Sequence, residues 1–466
     1  MAMGKRGGKG AEEAIDDAIE FVFGELEGKA EDVVVTSSSG TSTYVKVVDS
    51  RVDSVVDIDD SDIGVFIAKG KRLLFTNLGL VGREEMRKKL DRALKTVELL
   101  RVNRDYHGIA EGPYRYKSAL NYDPSVENGD YDAEDIVSRV VSTALDGGAS
   151  YVHGMLTLYR GRRRLMTSGN VDATEKDTSV SFSARVFMDS ETSVQSNGAS
   201  RTLDGIDYEG LGDYAVRTAK MARTSGMIAE GNYDVIYMPI AAGVLVDRIG
   251  SAVSMGSVEA GFSFLMDKLG KNVTDTDISV YDDASAPDGL SSYAFDQEGV
   301  PSQKTTVIKD GTLKTYLHNT STARKYGTKT TGNAGLVSPD STGTLITHKN
   351  HMKSVEELVK EVKRGVLVTN VWYTRFSNYV SGEFSTVPRD AAFYVENGEI
   401  RYRISMGAKG SASAGIRIND SLPRMLKEMD ATGGDTVQVY NWDSQDYNFT
   451  PALLVRDVKL TSATII

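Results

Sequence analysis

The residues best equipped for chemistry in this chain are five histidines and a dense run of carboxylates. His348 and His351 stand three apart, a spacing that on a helix could hold a metal ion. They fall in HKNHMKS, just before Ser354. Ser354 and Glu357 can form a capping box, so both imidazoles are read as surface loop groups ahead of a helix. Asp282, Asp283, Asp288 and Asp296 could attract a hard cation, but they lack EF-hand spacing and are read as solvated loop charges. GAKGSASAG (Gly407 to Gly415) is glycine-rich without the order of a phosphate loop, which leaves a turn or bulge. The chain has no cysteine, which excludes disulfides and thiolate metal ligands. No serine is nominated as a nucleophile, because no Ser/His/Asp constellation stands out.

The elements that would position these groups follow from the hydrophobic pattern. Ala11 to Leu26 and Glu84 to Leu100 have helical apolar stripes, and Asp132 can cap a third helix. Strand-like segments cover Asp32 to Thr36, Thr43 to Asp49, Arg51 to Ile58, Ile63 to Lys69 and Arg72 to Thr76, with SSSGTST (Ser37 to Thr43) as a turn. Strands also cover Tyr151 to Tyr159 and Arg164 to Ser168, with RGRR between them as another turn. Val235, Ile236 and Tyr237 read as a short buried strand that Pro239 ends. From Ile240 to Val253 the apolar residues fall at helical spacing. Asp310-Gly311 and Asn397-Gly398 are hairpin turns. The aromatic residues Trp372, Tyr373, Tyr379, Tyr440, Trp442 and Tyr447 are read mostly as core, with some free to line a peptide groove.

Length and composition bound the rest. A chain of 466 residues is too long for one ordinary core, so two domains are expected. The expected layout is a disordered tail over 1–10, an N-terminal α+β domain over 11–228 and a C-terminal domain over 229–466. A net charge of −11 argues against a general nucleic-acid role, since phosphate contacts need a basic face. Acidic residues interrupt Ala11 to Ala18, so no signal-peptide core is read there. No apolar run approaches the roughly 20 residues of a membrane span. Cytoplasm is the default expectation.

Several short motifs occur together in the second half. Asp296, Glu298, Gly299 and Pro301 make D-x-E-G-x-P, followed by Asp310-Gly311, then Tyr316-Leu317-His318 and Ala323-Arg324. TTGNAG (Thr330 to Gly335), SGEFS (Ser381 to Ser385) and AAFYVENGEI (Ala391 to Ile400) come after them. In this order they resemble the TldD/PmbA family of metallopeptidases, with Thr322 where the family pattern has serine. The resemblance is good from Tyr233 to Ile466 and holds only in outline before that.

The family's catalytic branch carries HExxxH on the helix that matches Ile240 to Val253. There two imidazoles bind zinc, the glutamate activates the metal-bound water, and a C-terminal cysteine completes the site. In the same register this chain has Asp247 and Ala252 at the two histidines and Arg248 at the glutamate. A guanidinium is no general base and repels a cation. None of the five histidines lies between His153 and His318, so a small shift in register does not restore the motif. The resemblance therefore implies the PmbA/TldE-like branch, with no catalytic residue and no metal in this chain and zinc only in a TldD-like partner. His318, Glu298, Asn333 and Glu383, in the matching motifs, are the positions that could adjoin a groove or site. His318 is read first as a hydrogen-bonded structural histidine. The cysteine's place falls between Val439 and Pro451, where Asp443 and Asp446 are the available ligands.

The expected fold is α+β, mostly antiparallel sheets with packed helices. The expected function is the non-catalytic subunit of a two-component TldD/TldE-type peptidase, paired with an HExxxH-bearing chain or with itself and reaching peptide through the complex. Two rivals stand beside it: a peptidase with an atypical site, and a self-associating structural or binding protein of the same fold.

Overall fold

A computed structural model describes residues 8–116, 120–189, 192–349, 352–405, 415–433, 436–444 and 446–462. Its first helix, Gly8–Leu26, already covers the last three residues of the expected tail; residues 1–7 lie outside the described residues. So do His351 and most of GAKGSASAG.

The first 200 residues are organised by one six-stranded antiparallel sheet. Its centre is the strand Asp32–Val48, flanked by Arg51–Lys69 and Tyr151–Thr167. Both expected turns are absent, because Ser37–Thr43 and Arg160–Arg163 run through as paired strand. The polarity of the arginine run has a structural cause. Arg163 pairs with Glu175 across the sheet, Arg164 with Asp172, and Arg162 and Arg164 both reach Asp16 on the first helix. Alternate arginines thus serve opposite faces of one strand, a pattern that resembles a turn when read along the chain. The helix Ala133–Asp146 is capped by the Asp132 side chain, which accepts from the N–H groups of Glu134 and Asp135.

The remainder builds two further sheets. One has nine strands, including Gly231–Tyr237, Arg364–Asn378, Glu383–Glu396 and Leu453–Ser462. The other has six, including Ile278–Asp283, Lys304–Lys309 and Thr344–His348. Asp310 and Gly311 both have positive φ (49° and 77°), as do Asn397 and Gly398 (53° and 78°), the geometry of type I′ hairpins. Ser354 and Glu357 form a capping box on Val355–Lys360. The short strand Ser225–Gly226 joins the nine-stranded sheet although it precedes residue 229.

Two faces of the nine-stranded sheet bury separate cores. Ile236, Leu367, Phe393 and Leu454 pack with Val140, Phe182 and Val216 of the N-terminal half. Val235, Tyr237, Val366 and Val455 pack with Val244, Leu245 and Ile249 of the helix that follows Tyr237, and with Val280 and Ile308 of the small sheet. That helix, Pro239–Val253, therefore lies between two sheets. Among the described residues no helix is long and apolar enough to cross a membrane.

Candidate functional site

The helix Pro239–Val253 grows directly from a strand. Tyr237 pairs with Val368 and Leu453, and the next N–H, of Met238, still donates to Val368 O at 2.9 Å. Pro239 then sits in the first turn, where its missing N–H costs nothing. The expected single apolar stripe is an understatement. Almost the whole circumference is buried, and only Arg248 and Ser251, within the stretch from Ile240 to Val253, are partly exposed. Small residues admit the neighbours: a Cβ on Gly243 would stand 2.6 Å from Val439 Cγ2.

The C-terminal half of this helix borders an open cleft. A cavity of about 570 Å³ is lined by Arg248, Ala252, Asp340, Phe376, Tyr379 and Asp446, with Phe262 and Phe264 extending its aromatic wall. Arg248 donates from Nη2 to Asp443 O at 2.8 Å, and its Nη1 lies 3.9 Å from Asp247 Oδ2. Its Nε is buried without a hydrogen-bond partner. Asp247 turns inward and is 3 % exposed. Its Oδ1 accepts from Asn448 Nδ2 and from the N–H of Asp446, each at 3.2 Å. These bonds fasten the segment before Asn448 over the helix. The Asp446 carboxyl is pushed up to about 7 by burial, then by the charges of Asp247, Asp282 and Asp340. Burial also raises Asp340.

Phe376 and Tyr379 stack at 5.1 Å, and Phe262 meets Tyr379 at 5.5 Å. Phe262 and Tyr379 are 60 % and 52 % exposed, so the aromatic wall faces solvent at the cavity mouth. Tyr373, Tyr440 and Trp442 are exposed too, which corrects the expectation of mostly core aromatics. A larger cavity, of about 810 Å³, has a mixed lining in which Ile206, Leu211, Ile240 and Val439 stand beside Asp213 and Arg217. The smaller one is the candidate site, because it is lined by Arg248 and Ala252, two of the three positions that the sequence resemblance set against the zinc motif.

The motif positions and their surroundings do not fit a zinc centre. Ala252 offers no donor, Arg248 carries a cation into the cavity, and Asp247 is engaged by Asn448 and the Asp446 backbone. Among the described residues, the trio of carboxylates and imidazoles close enough to share an ion is Asp275, Asp277 and His348, on the small sheet. His348 ends a strand and is 3 % exposed, not a surface loop group, because its strand pairs it with Ile278.

The other nominated residues have different surroundings. Glu298 is buried and accepts from the N–H groups of Ala110 at 3.2 Å and Thr320 at 3.3 Å. Asp296 beside it accepts from Glu298, Val300 and Ala334, each at 2.9 Å. Burial raises both carboxyls, and the Asp296 charge raises Glu298 further. Asn333 donates to Asp282 Oδ1 at 2.6 Å and to Asp340 O at 3.1 Å, which ties it to the cavity wall through the backbone. Asp282 also accepts from the Thr342 N–H at 2.6 Å. Asp282 and Asp296 are thus buried acceptors for backbone N–H groups, not the solvated charges their spacing suggested. His318 is buried, with Nδ1 3.2 Å from Thr322 Oγ1, and burial favours its neutral ring. It does not line the cavity. Glu383 is exposed; its neighbour Gly382 packs on Phe264 of the cavity wall.

Asp446 and Tyr379 were visible in the sequence, the first through the place of the missing cysteine and the second as a groove aromatic. Asp340, Phe262 and Phe376 were not. They come from three distant segments, and no local spacing links them.

An α+β framework with this strand-to-helix junction matches proteins of known structure along its whole length. The structure of a proposed modulator of a DNA gyrase from Thermotoga maritima superposes with a TM-score of 0.79, covering 97% of this chain and 100% of that one at 23% identity. TldE from Thermococcus kodakarensis superposes with a TM-score of 0.78, covering 96% and 100% at 19% identity. In sequence, a metalloprotease PmbA homolog of Haemophilus influenzae is 27% identical over 92% of this chain and 93% of its own length. The family model described as the PmbA/TldA metallopeptidase C-terminal domain matches residues 230–462, and that of the central domain matches 115–223. The chain belongs to the PmbA/TldD family.

Proposed function

We propose that this chain is the non-catalytic, TldE-like subunit of a two-component peptidase. The observation that carries the reading is the cleft beside the helix Pro239–Val253. Arg248 and Ala252, which the resemblance sets in register with the catalytic branch's glutamate and second histidine, line it. A guanidinium cannot take a proton from water at neutral pH, so hydrolysis by the family mechanism falls to a partner bearing HExxxH. The role left to this chain is to complete the assembly and receive peptide. A reducing, cytoplasmic setting is consistent with the absence of cysteine.

The test is co-expression with a TldD-like chain from the same genome, followed by sizing and metal analysis. The expected result is a stable complex with zinc in proportion to the partner alone. The buried interface should exceed about 1,000 Å². A full equivalent of zinc on this chain purified by itself, with peptide turnover, would overturn the reading.

A further inference from the structure

We propose that the cleft beside Arg248 is a binding site for short peptides with free termini and an apolar C-terminal side chain. The terminal carboxylate would meet the Arg248 guanidinium, the terminal ammonium the Asp446 and Asp340 side, and the side chain the Phe262–Phe376–Tyr379 wall. The proposal deepens the peptide-receiving role above and rests on it.

Three independent features of the cleft point to this ligand. The first is an unused donor. Arg248 gives one hydrogen bond, from Nη2 to a backbone carbonyl, and its Nη1, 3.9 Å from Asp247 Oδ2, has no acceptor at hydrogen-bond distance. A guanidinium presents its N–H groups as a planar fork suited to a carboxylate. Asp247 does not fill that role, since its nearest approach is 3.9 Å and its Oδ1 is taken by Asn448 and the Asp446 backbone.

The second feature is the sign of the remaining charges. Asp340 and Asp446 share the cavity with Arg248, so a simple anion would meet repulsion and a simple cation would meet the arginine. A ligand carrying both charges satisfies both sides. The third is the aromatic wall. Phe262 and Tyr379 are more than half exposed, although they meet each other and Phe376 in one cluster. Solvent-facing aromatics beside a concave site are an apolar surface in want of a partner. A volume of about 570 Å³ lies within the usual range for a small-molecule site.

Titration calorimetry on the isolated chain tests this with the dipeptide Ala-Phe, its C-terminal amide and its N-acetyl form. The free dipeptide should bind, and the amide should bind about tenfold more weakly or worse, as loss of a charge-assisted pair predicts. Arg248→Gln should abolish the preference for acid over amide. Asp446→Asn should weaken the free dipeptide while leaving the N-acetyl form unchanged. Tyr379→Ala, an exposed change that leaves the core intact, should weaken all three. Each variant is checked by its thermal unfolding first.

Equal binding of acid and amide by the parent chain would overturn the proposal, as would no binding of any probe at millimolar concentration. An Ala-Glu amide distinguishes a side-chain carboxylate from a terminal one, and equal binding of that probe would overturn the terminal assignment. Failure here with the two-chain complex intact rejects the site alone. Binding here with no complex rejects the subunit reading and leaves the site standing.

Discussion

Two regions of this molecule carry the residues a reader would first suspect of chemistry, and they are built in opposite ways. Around Asp296 and Glu298 the carboxyls are paired with backbone: Asp296 accepts three N–H groups and Glu298 two, while the Asn333 amide nitrogen holds the Asp282 carboxylate and the carbonyl of Asp340 and leaves only its own Oδ1 over. Around Arg248 the polar atoms are left over. One guanidinium nitrogen has no acceptor, the Asp446 carboxyl is pushed up to about 7, and aromatic rings face water. The motif-rich region is thus a knot that fixes loops. The region around Arg248 is the one with groups open to a ligand. Motif residues can serve to satisfy buried backbone groups, while open chemistry shows in what remains unpaired.

Mutation can break this contrast. Glu298→Ala would strand the N–H groups of Ala110 and Thr320 in a buried site, and we expect a loss of about 3 kcal/mol in urea unfolding. Glu298→Gln keeps an acceptor there and should cost less than half as much. Asn333→Ala removes the donor that Asp282 shares with the Asp340 loop, and about 2 kcal/mol is expected. Arg248→Leu, by contrast, should change stability by no more than about 1 kcal/mol, because it removes a half-satisfied buried charge together with its desolvation cost. A larger loss at Arg248 than at Glu298 would reverse the comparison.

A pH scan sharpens it further. The Asp446 carboxyl titrates near 7 in the folded chain, against about 4 when unfolded. The folded state therefore binds this proton more tightly. The stabilisation is complete below about pH 4 and is lost as pH rises through 7. Asp446→Asn should remove that part of the slope, so its Tm relative to the parent should be higher at pH 8 than at pH 5. Glu383→Ala lies at the bottom of the scale. Its side chain is exposed, and a change within about 0.5 kcal/mol is expected.

What the sequence disclosed depended on whether a signal was local. The junction at Pro239, the cap at Asp132, the Ser354–Glu357 box and both type I′ turns were legible, because each is set by residues within a few positions of one another. Ser37–Thr43 and Arg160–Arg163 misled for the complementary reason. Their polarity answers partners elsewhere: Thr41 and Thr43 donate to Asp59 and Asp57 on the neighbouring strand, Arg163 pairs with Glu175 across the sheet and Arg162 with Asp16 on the first helix. The burial of Asp282 was hidden likewise, since the N–H group that it accepts from belongs to Thr342, and Asp296 takes one of its three from Ala334. At the candidate site the helix positions could be named, but the cavity wall could not. Phe262, Asp340 and Phe376 meet only once three chain segments have folded together.

The strand that launches the cleft helix has a consequence for how the protein is made. Gly231–Tyr237 is paired on one side by residues 365–368 and on the other by residues 453–460. Arg456 closes this arrangement by reaching back to Asp234, 222 residues earlier. At a synthesis rate of roughly 5–20 residues per second, that strand waits on the order of 10–40 s for its second neighbour. Throughout that interval the almost wholly apolar helix behind it has no completed sheet to lie on. The nascent chain therefore presents a sticky surface to the cell for many seconds, and a chaperone that shields such surfaces is the natural escort for its birth.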